Sequence, residues 1–159
     1  AIADELEIEG FRVVGIDGLL ASLVTPSGIL TRVSPDPDIK PLIQAGLLAA
    51  QKHGQKDIGQ AVVIKGDKVI AYETSAGTNE LIKRAAEIAV DKEALILIKA
   101  MKPGQDRRID LPTMGPETVE LAAKYGFCGI VMEAGNSLLV DKECSIELAD
   151  SANIFILGV

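Results

Sequence analysis

The stretch "KPGQDRRIDLPT", Lys102 to Thr113, brings together the cations Lys102, Arg107 and Arg108, the carboxylates Asp106 and Asp110, and the amide of Gln105. Two carboxylates four positions apart on one loop can supply the oxygen ligands that a hard divalent cation requires. Lysine and arginine donors match phosphate oxygens. Together they are the parts for metal-assisted attack on a phosphorus centre. The same residue types also build an ion-paired, proline-stiffened surface loop, and structural ion pairs of that kind are common.

On residue types alone the surface-loop reading stays ahead; position makes the loop a candidate site. Before the loop comes "ALILIKAM", Ala94 to Met101, an unalternating apolar run that reads as a fully buried strand. After it comes the amphipathic helix Gly115–Tyr125, stopped at Gly126. Loops at the carboxyl ends of strands line the binding crevice of open α/β sheets. A second candidate is "SAGTNE", Ser75 to Glu80, at a strand-to-helix junction. There, backbone amides favour an anion, Gly77 admits a close ligand, and the Thr78 hydroxyl has a proton to donate. A plain helix cap by Thr78 or Asn79 is the competing reading. Glu133, ending the strand "CGIVMEAG", either enters the same crevice or is a solvated strand end. "VVGIDG" lacks GxGxxG, and no GxxxxGK[ST] occurs.

The elements that must carry these residues follow from pattern. A short helix is expected over 1–9, a strand at "FRVVGI" (11–16), and a short helix at "DGLLASLV" capped by Asp17. A longer helix follows "SPDP", with Ile39, Leu42, Ile43, Leu47 and Ala50 on one face and Gly54 at its end. Ala61–Ile64 and Val69–Tyr72 flank Gly66-Asp67 and read as a β-hairpin. "GTNELIKRAAEIA" is a helix, "SLLVD" a short strand, "KECSIELADSAN" a helix and "IFILGV" a last strand. Strands alternating with helices around a mid-chain hairpin predict one α/β domain over 1–159, with a mixed sheet flanked by helices.

Composition narrows the function. The chain has 159 residues, no tryptophan and a net charge of −7. An acidic balance argues against a general nucleic-acid binder, which needs clustered cations to neutralise phosphates. Cys128 and Cys144 form no zinc spacing and read as free, buried thiols of a reducing compartment. The single histidine, His53, reads as a surface residue near a helix end, so no histidine-based triad is expected. No apolar run reaches membrane-spanning length, and no signal peptide is visible. The opening, without methionine and inside a helix, suggests a piece of something longer.

The motifs "DIGQAVVIKGDKVIAYE", "GTNELIKRA", "LILIKAMKPGQDRRIDLPTMGPETVELAAKYGFCGIVMEAG" and "ANIFILGV" closely resemble the C-terminal domain of the LpxI family, the UDP-2,3-diacylglucosamine pyrophosphatases of lipid A biosynthesis. The resemblance extends to "LEIEGFRVVG" and "GILTRVSPD", and its most specific part is K-P-x-Q-D-x-R-x-D-x-P-x-x-G, Lys102 to Gly115. It implies hydrolysis of UDP-2,3-diacylglucosamine to UMP and 2,3-diacylglucosamine 1-phosphate, with water attacking the α-phosphorus. It implies a divalent cation, magnesium, and an essential aspartate, Asp106 or Asp110, with Asp106 favoured because it follows Gln105 in the signature. Lys102, Gln105 and Arg108 would hold phosphate or sugar oxygens. The family pattern near "SAGTNE" is E-G-T-D: Gly77 and Thr78 match, whereas Ala76 and Asn79 replace acids. The resemblance further implies a cleft shared with an N-terminal domain, an inactive fragment in that domain's absence, and a cytoplasmic enzyme meeting its lipid substrate by transient membrane contact. Self-association is a further expected partnership.

Overall fold

The computed structural model describes residues 2–15, 21–89, 94–107 and 110–159. In chain order its elements are α1 (Ile2–Ile8), β1 (Gly28–Ile29), α2 (Lys40–Gly54), β2 (Ala61–Lys65), β3 (Lys68–Tyr72), α3 (Thr78–Ile88), β4 (Leu95–Lys99), β5 (Thr113–Met114), α4 (Pro116–Lys124), β6 (Phe127–Met132), β7 (Leu138–Leu139), α5 (Lys142–Ser151) and β8 (Phe155–Gly158). Six strands form one sheet in the order β1-β8-β6-β4-β2-β3, and β5 pairs with β7 separately. Within the large sheet β4, β6 and β8 are parallel, while β1, β2 and β3 join antiparallel. The expected mixed sheet is present. The mid-chain hairpin turns at Gly66-Asp67 and forms the sheet's β3 edge.

Side chains of a strand alternate between faces, and the two faces have separate cores. Val63, Leu95, Leu97, Ile130 and Ile156 pack with Leu81 and Ile82 of α3, Val119 of α4 and Ala149 of α5. Val62, Ile64, Ile96, Ile98, Val131 and Phe155 pack with Ile43 and Ala50 of α2. Both faces are covered, which explains why β4 reads as an unbroken apolar run. Helix α2 lies close to the sheet because Gly46 has no side chain: a Cβ there would sit 2.3 Å from Ile98 Cδ1.

One local expectation fails and a second is only half described. Phe11 to Gly15 is not a strand, and Ile16 lies outside the described residues; Phe11 and Val14 are solvent-exposed, and among the described residues no sheet edge pairs with them. Asp17 and half of its proposed helix, 17–20, lie outside the described residues, and Ala21–Leu23 is a single 3-10 turn. The short strands β1 and β5 have no sequence signature at two residues each.

Candidate active site

The parallel strands deliver their carboxyl ends to one edge of the sheet, where Lys99 pairs with Met132 and Met132 with Gly158. Because β2 runs the other way, its first residue, Ala61, lies beside Lys99. Glu73, just past β3, joins the same edge by donating its amide to the Ala61 carbonyl (2.8 Å). The Lys102–Thr113 loop leaves from this edge.

The loop is fastened at several points. Its entry is held by Glu133, whose Oε2 accepts from the Met101 amide (2.9 Å) while Oε1 accepts from Asn136 Nδ2 (2.8 Å). Glu133 therefore faces the loop, as a brace. A tight turn follows: the Lys102 amide donates to Gln105 Oε1 and the Gln105 amide to the Lys102 carbonyl, both at 3.1 Å. Gly104 sits in that turn at φ 81°, a conformation that favours glycine. Arg107 Nη2 donates to the Gly135 carbonyl (2.7 Å), and the Asp110 amide donates to the Asp106 carbonyl (3.1 Å). Asp106 and Asp110 are thus linked backbone to backbone, the first half-buried and the second exposed.

Lys102, Gln105 and Asp110 line a cavity of about 250 Å³, together with Gly54 at the end of α2 and Gln55 and Asp57 just past it. Lys102 Nζ pairs with Asp57 Oδ1 at 2.7 Å. That hydrogen bond and the ammonium charge hold the Asp57 carboxyl below its ordinary range. Gln105 Nε2 is buried with no hydrogen-bond partner among the described residues, a donor in need of an oxygen. Arg108 lies outside the described residues. Among the described residues no group of three or more His, Cys, Asp or Glu side chains is gathered as a metal cage.

The "SAGTNE" junction is built differently from a side-chain cap. Gly77, at φ 84°, occupies the N-cap of α3 without a side-chain hydrogen bond. Thr78 Oγ1 donates to Glu73 Oε1 (2.6 Å) and accepts from Lys99 Nζ (3.0 Å). Its proton is therefore committed to Glu73, and the expectation that it donates to a ligand is corrected. Asn79 turns away, with Nδ2 donating to Glu117 Oε1 of α4 (2.9 Å).

Glu73 and Lys99, which pattern reading passed over, form the buried heart of this edge at 6% and 4% exposure. Glu73 Oε2 accepts from the Gln60 amide (2.7 Å). Lys99 Nζ also donates to the Thr113 carbonyl (2.8 Å), so one ammonium ties the start of α3 to the end of the charged loop. Burial pushes the Lys99 pKa down, and the Glu73 charge partly offsets this. His53 is a further correction: it is half-buried, its Nε2 lies 2.6 Å from the Glu73 carbonyl, and its ring leans on Tyr72 at 5.0 Å. Cys128 and Cys144 are free thiols and only partly buried; burial raises the Cys128 pKa, and desolvation together with the charges of Asp141, Glu147 and Glu120 raises that of Cys144.

Residues 26–157 match the profile of the LpxI C-terminal domain. The chain belongs to the LpxI family. Its relative in Caulobacter vibrioides, the UDP-2,3-diacylglucosamine pyrophosphatase LpxI, is 38% identical over 164 residues, covering 99% of this chain and 59% of the relative. This LpxI-family chain thus spans about three fifths of the length of that relative. Among solved structures, the apo dCMP deaminase of cyanophage S-TIM5 gives a TM-score of 0.49 at 10% identity, over 79% of this chain and all of that one. The same enzyme with dCMP and dUMP gives 0.46 at 11% identity, with the same coverage. Neither likeness carries a functional argument.

Proposed function

We propose that this chain carries the catalytic loop of a UDP-2,3-diacylglucosamine pyrophosphatase, which hydrolyses its substrate to UMP and 2,3-diacylglucosamine 1-phosphate in lipid A biosynthesis. The observation that carries the reading is family membership, joined to a loop that presents Lys102, Gln105 and Asp110 to one cavity. In this reading Lys102 and the unpartnered Gln105 amide hold oxygens of the diphosphate, assisted by Arg108. The buried Gln105 nitrogen supports that role, because an oxygen acceptor would satisfy it.

In this reading Asp106 and Asp110 are the donors for magnesium, Asp110 lining the cavity and Asp106 standing outside its lining. Magnesium is held by one or two carboxylates, with substrate phosphates and water completing its shell. Asp106 and Asp110, linked by a backbone hydrogen bond, are the pair assigned that role. When bound, the ion would neutralise charge at the reacting phosphorus. The side chains of this chain then bind and orient: Lys102 holds its place against Asp57, and Glu133 fixes where the loop begins. Gly77 keeps the start of α3 open beside Thr78.

The remaining partners belong to the same proposal. The relative is longer than this chain, so we assign the rest of the cleft to an N-terminal domain, and the isolated chain is expected to be inactive. Exposed Ile8 and Phe11 are apolar enough to contact such a domain or a second copy. Among the described residues no helix is long and apolar enough to cross a membrane. We assign the enzyme to the cytoplasm, with transient contact at the inner membrane, from the family reading alone. The test is UMP release from UDP-2,3-diacylglucosamine by the full-length protein. Release should stop with a chelator and return with excess magnesium. An absence of UMP at saturating substrate and magnesium would overturn the reading.

A further inference from the structure

Lys52 and Lys56 differ from the other cations at this end of the fold. Lys102 is paired with Asp57, and Lys99 is tied to Thr78 and the Thr113 carbonyl. Among the described residues, neither Lys52 nor Lys56 has a carboxylate partner. Both are exposed, and both line a cavity of about 220 Å³ with Ala49, His53 and Tyr72. Among the described residues no carboxylate lines it. In a chain of net charge −7, two unpaired ammoniums concentrate positive potential at one concavity.

The surface beside these cations is apolar. Leu48 stands one turn before Lys52 on the same face of α2 and is 67% exposed. Tyr72, at the end of the edge strand β3, is 43% exposed, and its ring rests on the His53 imidazole, which the Glu73 carbonyl holds in place. An exposed leucine and tyrosine beside lysines suit a membrane interface, where apolar groups enter the headgroup layer and cations meet its phosphates. A freely diffusing phosphate compound would use the lysines and leave Leu48 in water.

We propose that Leu48, Lys52, Lys56 and Tyr72 dock the protein on an anionic phospholipid surface, with the cavity between them taking a headgroup phosphate. This rests on the lipid substrate assigned above. Gly54, Gln55 and Asp57 line the cavity given to the diphosphate, and Lys52, His53 and Lys56 of the same segment line this one. Docking here brings the charged loop beside the bilayer that holds the substrate.

The test is flotation of the full-length protein with vesicles of phosphatidylcholine alone and of phosphatidylcholine mixed with phosphatidylglycerol. Binding is expected to the mixed vesicles and should fall with salt. Each lysine near an anionic surface contributes roughly fivefold in partitioning, so Lys52→Gln combined with Lys56→Gln should weaken binding roughly 30-fold. Leu48→Gln should weaken it roughly tenfold, equally at low and high salt. UMP release from UDP-2,3-diacylglucosamine dispersed in detergent should be unchanged in these variants, which also shows that they fold. Release from substrate held in mixed vesicles should fall with binding. Wild-type protein that ignores the mixed vesicles, or a double variant that binds them as wild type does, overturns the docking surface. So does saturable binding of glycerol phosphate without vesicle binding, the mark of a free-phosphate site. Vesicle binding lost in the double variant, with no UMP released from either form of the substrate, upholds the surface and overturns the pyrophosphatase reading.

Discussion

Replacing Lys99 by methionine is the sharpest physical test of the site's architecture. The substitution keeps the unbranched apolar stem and deletes the ammonium. Two hydrogen bonds go with it, to Thr78 Oγ1 at 3.0 Å and to the Thr113 carbonyl at 2.8 Å. Bonds from a charged donor contribute about 1.5–3 kcal/mol each, so the gross loss is about 3–6 kcal/mol. Relief of the ammonium's burial works against that loss, since Lys99 is only 4% exposed. Removing one member of a buried charge arrangement typically costs about 3–5 kcal/mol, and Glu73 is left behind without its counter-charge. The expected net loss is about 3 kcal/mol, a fall in Tm of about 6–12 °C for a chain of this length.

The loss should also depend on pH. The folded-state pKa of Lys99 lies below its ordinary 10.5. Between the two values the unfolded chain binds more protons, so wild-type stability rises with pH through that window. Lys99→Met lacks the rise, and the gap between the two proteins should widen towards pH 10.5. Denaturant titration reads the gap as a shifted midpoint at unchanged slope. A variant within about 0.5 kcal/mol of wild type at neutral pH would show that these bonds contribute little net stability, and would refute the reasoning.

Other outcomes follow from the same geometry. Gly59→Ala would place a Cβ 2.7 Å from Glu73 Cβ and 2.8 Å from its carbonyl oxygen. It should cost about 1–3 kcal/mol by overpacking, measured by thermal unfolding. Asp57→Asn removes the partner that anchors Lys102. Because the Asp57 pKa is depressed in the folded state, its stabilisation is present above pH 3.8 and is lost as pH falls through the lower folded value. Denaturation curves of wild type and Asp57→Asn should therefore differ at neutral pH and converge in acid. Gly54→Ala would put a Cβ 3.1 Å from Lys102 Cγ and 3.2 Å from its Cα. In the full-length protein it should raise KM for UDP-2,3-diacylglucosamine more than it lowers kcat.

Much of the fold was legible because the local signals were redundant. Gly66-Asp67 between two apolar runs gave the hairpin, and the run Leu95–Ile98 gave a strand buried on both faces. "FRVVGI" misled because an apolar β-rich run becomes a strand only where an edge accepts it, and among the described residues none pairs with Phe11 to Gly15. The charged loop was legible from residue types, and its anchoring to Asp57, Glu133 and Gly135 was not, since those partners are distant in sequence. Lys99 left one usable trace, a lone charge inside an otherwise apolar strand. Such a lysine must find partners or lose its proton. Glu73 left less, because a carboxylate after a strand reads as solvated. Its burial arises only when the Gln60 amide, Thr78 and His53 converge on it.

The most direct measurement is UMP release from UDP-2,3-diacylglucosamine by full-length Asp106→Ala and Asp110→Ala proteins in excess magnesium, beside wild type. Substrate binding is checked separately in each. The account predicts that Asp106→Ala binds the nucleotide lipid yet loses at least about 1,000-fold in rate, as expected when charge stabilisation at phosphorus is removed. Hydrolysis at the wild-type rate in both variants would contradict the assignment of this loop as catalytic.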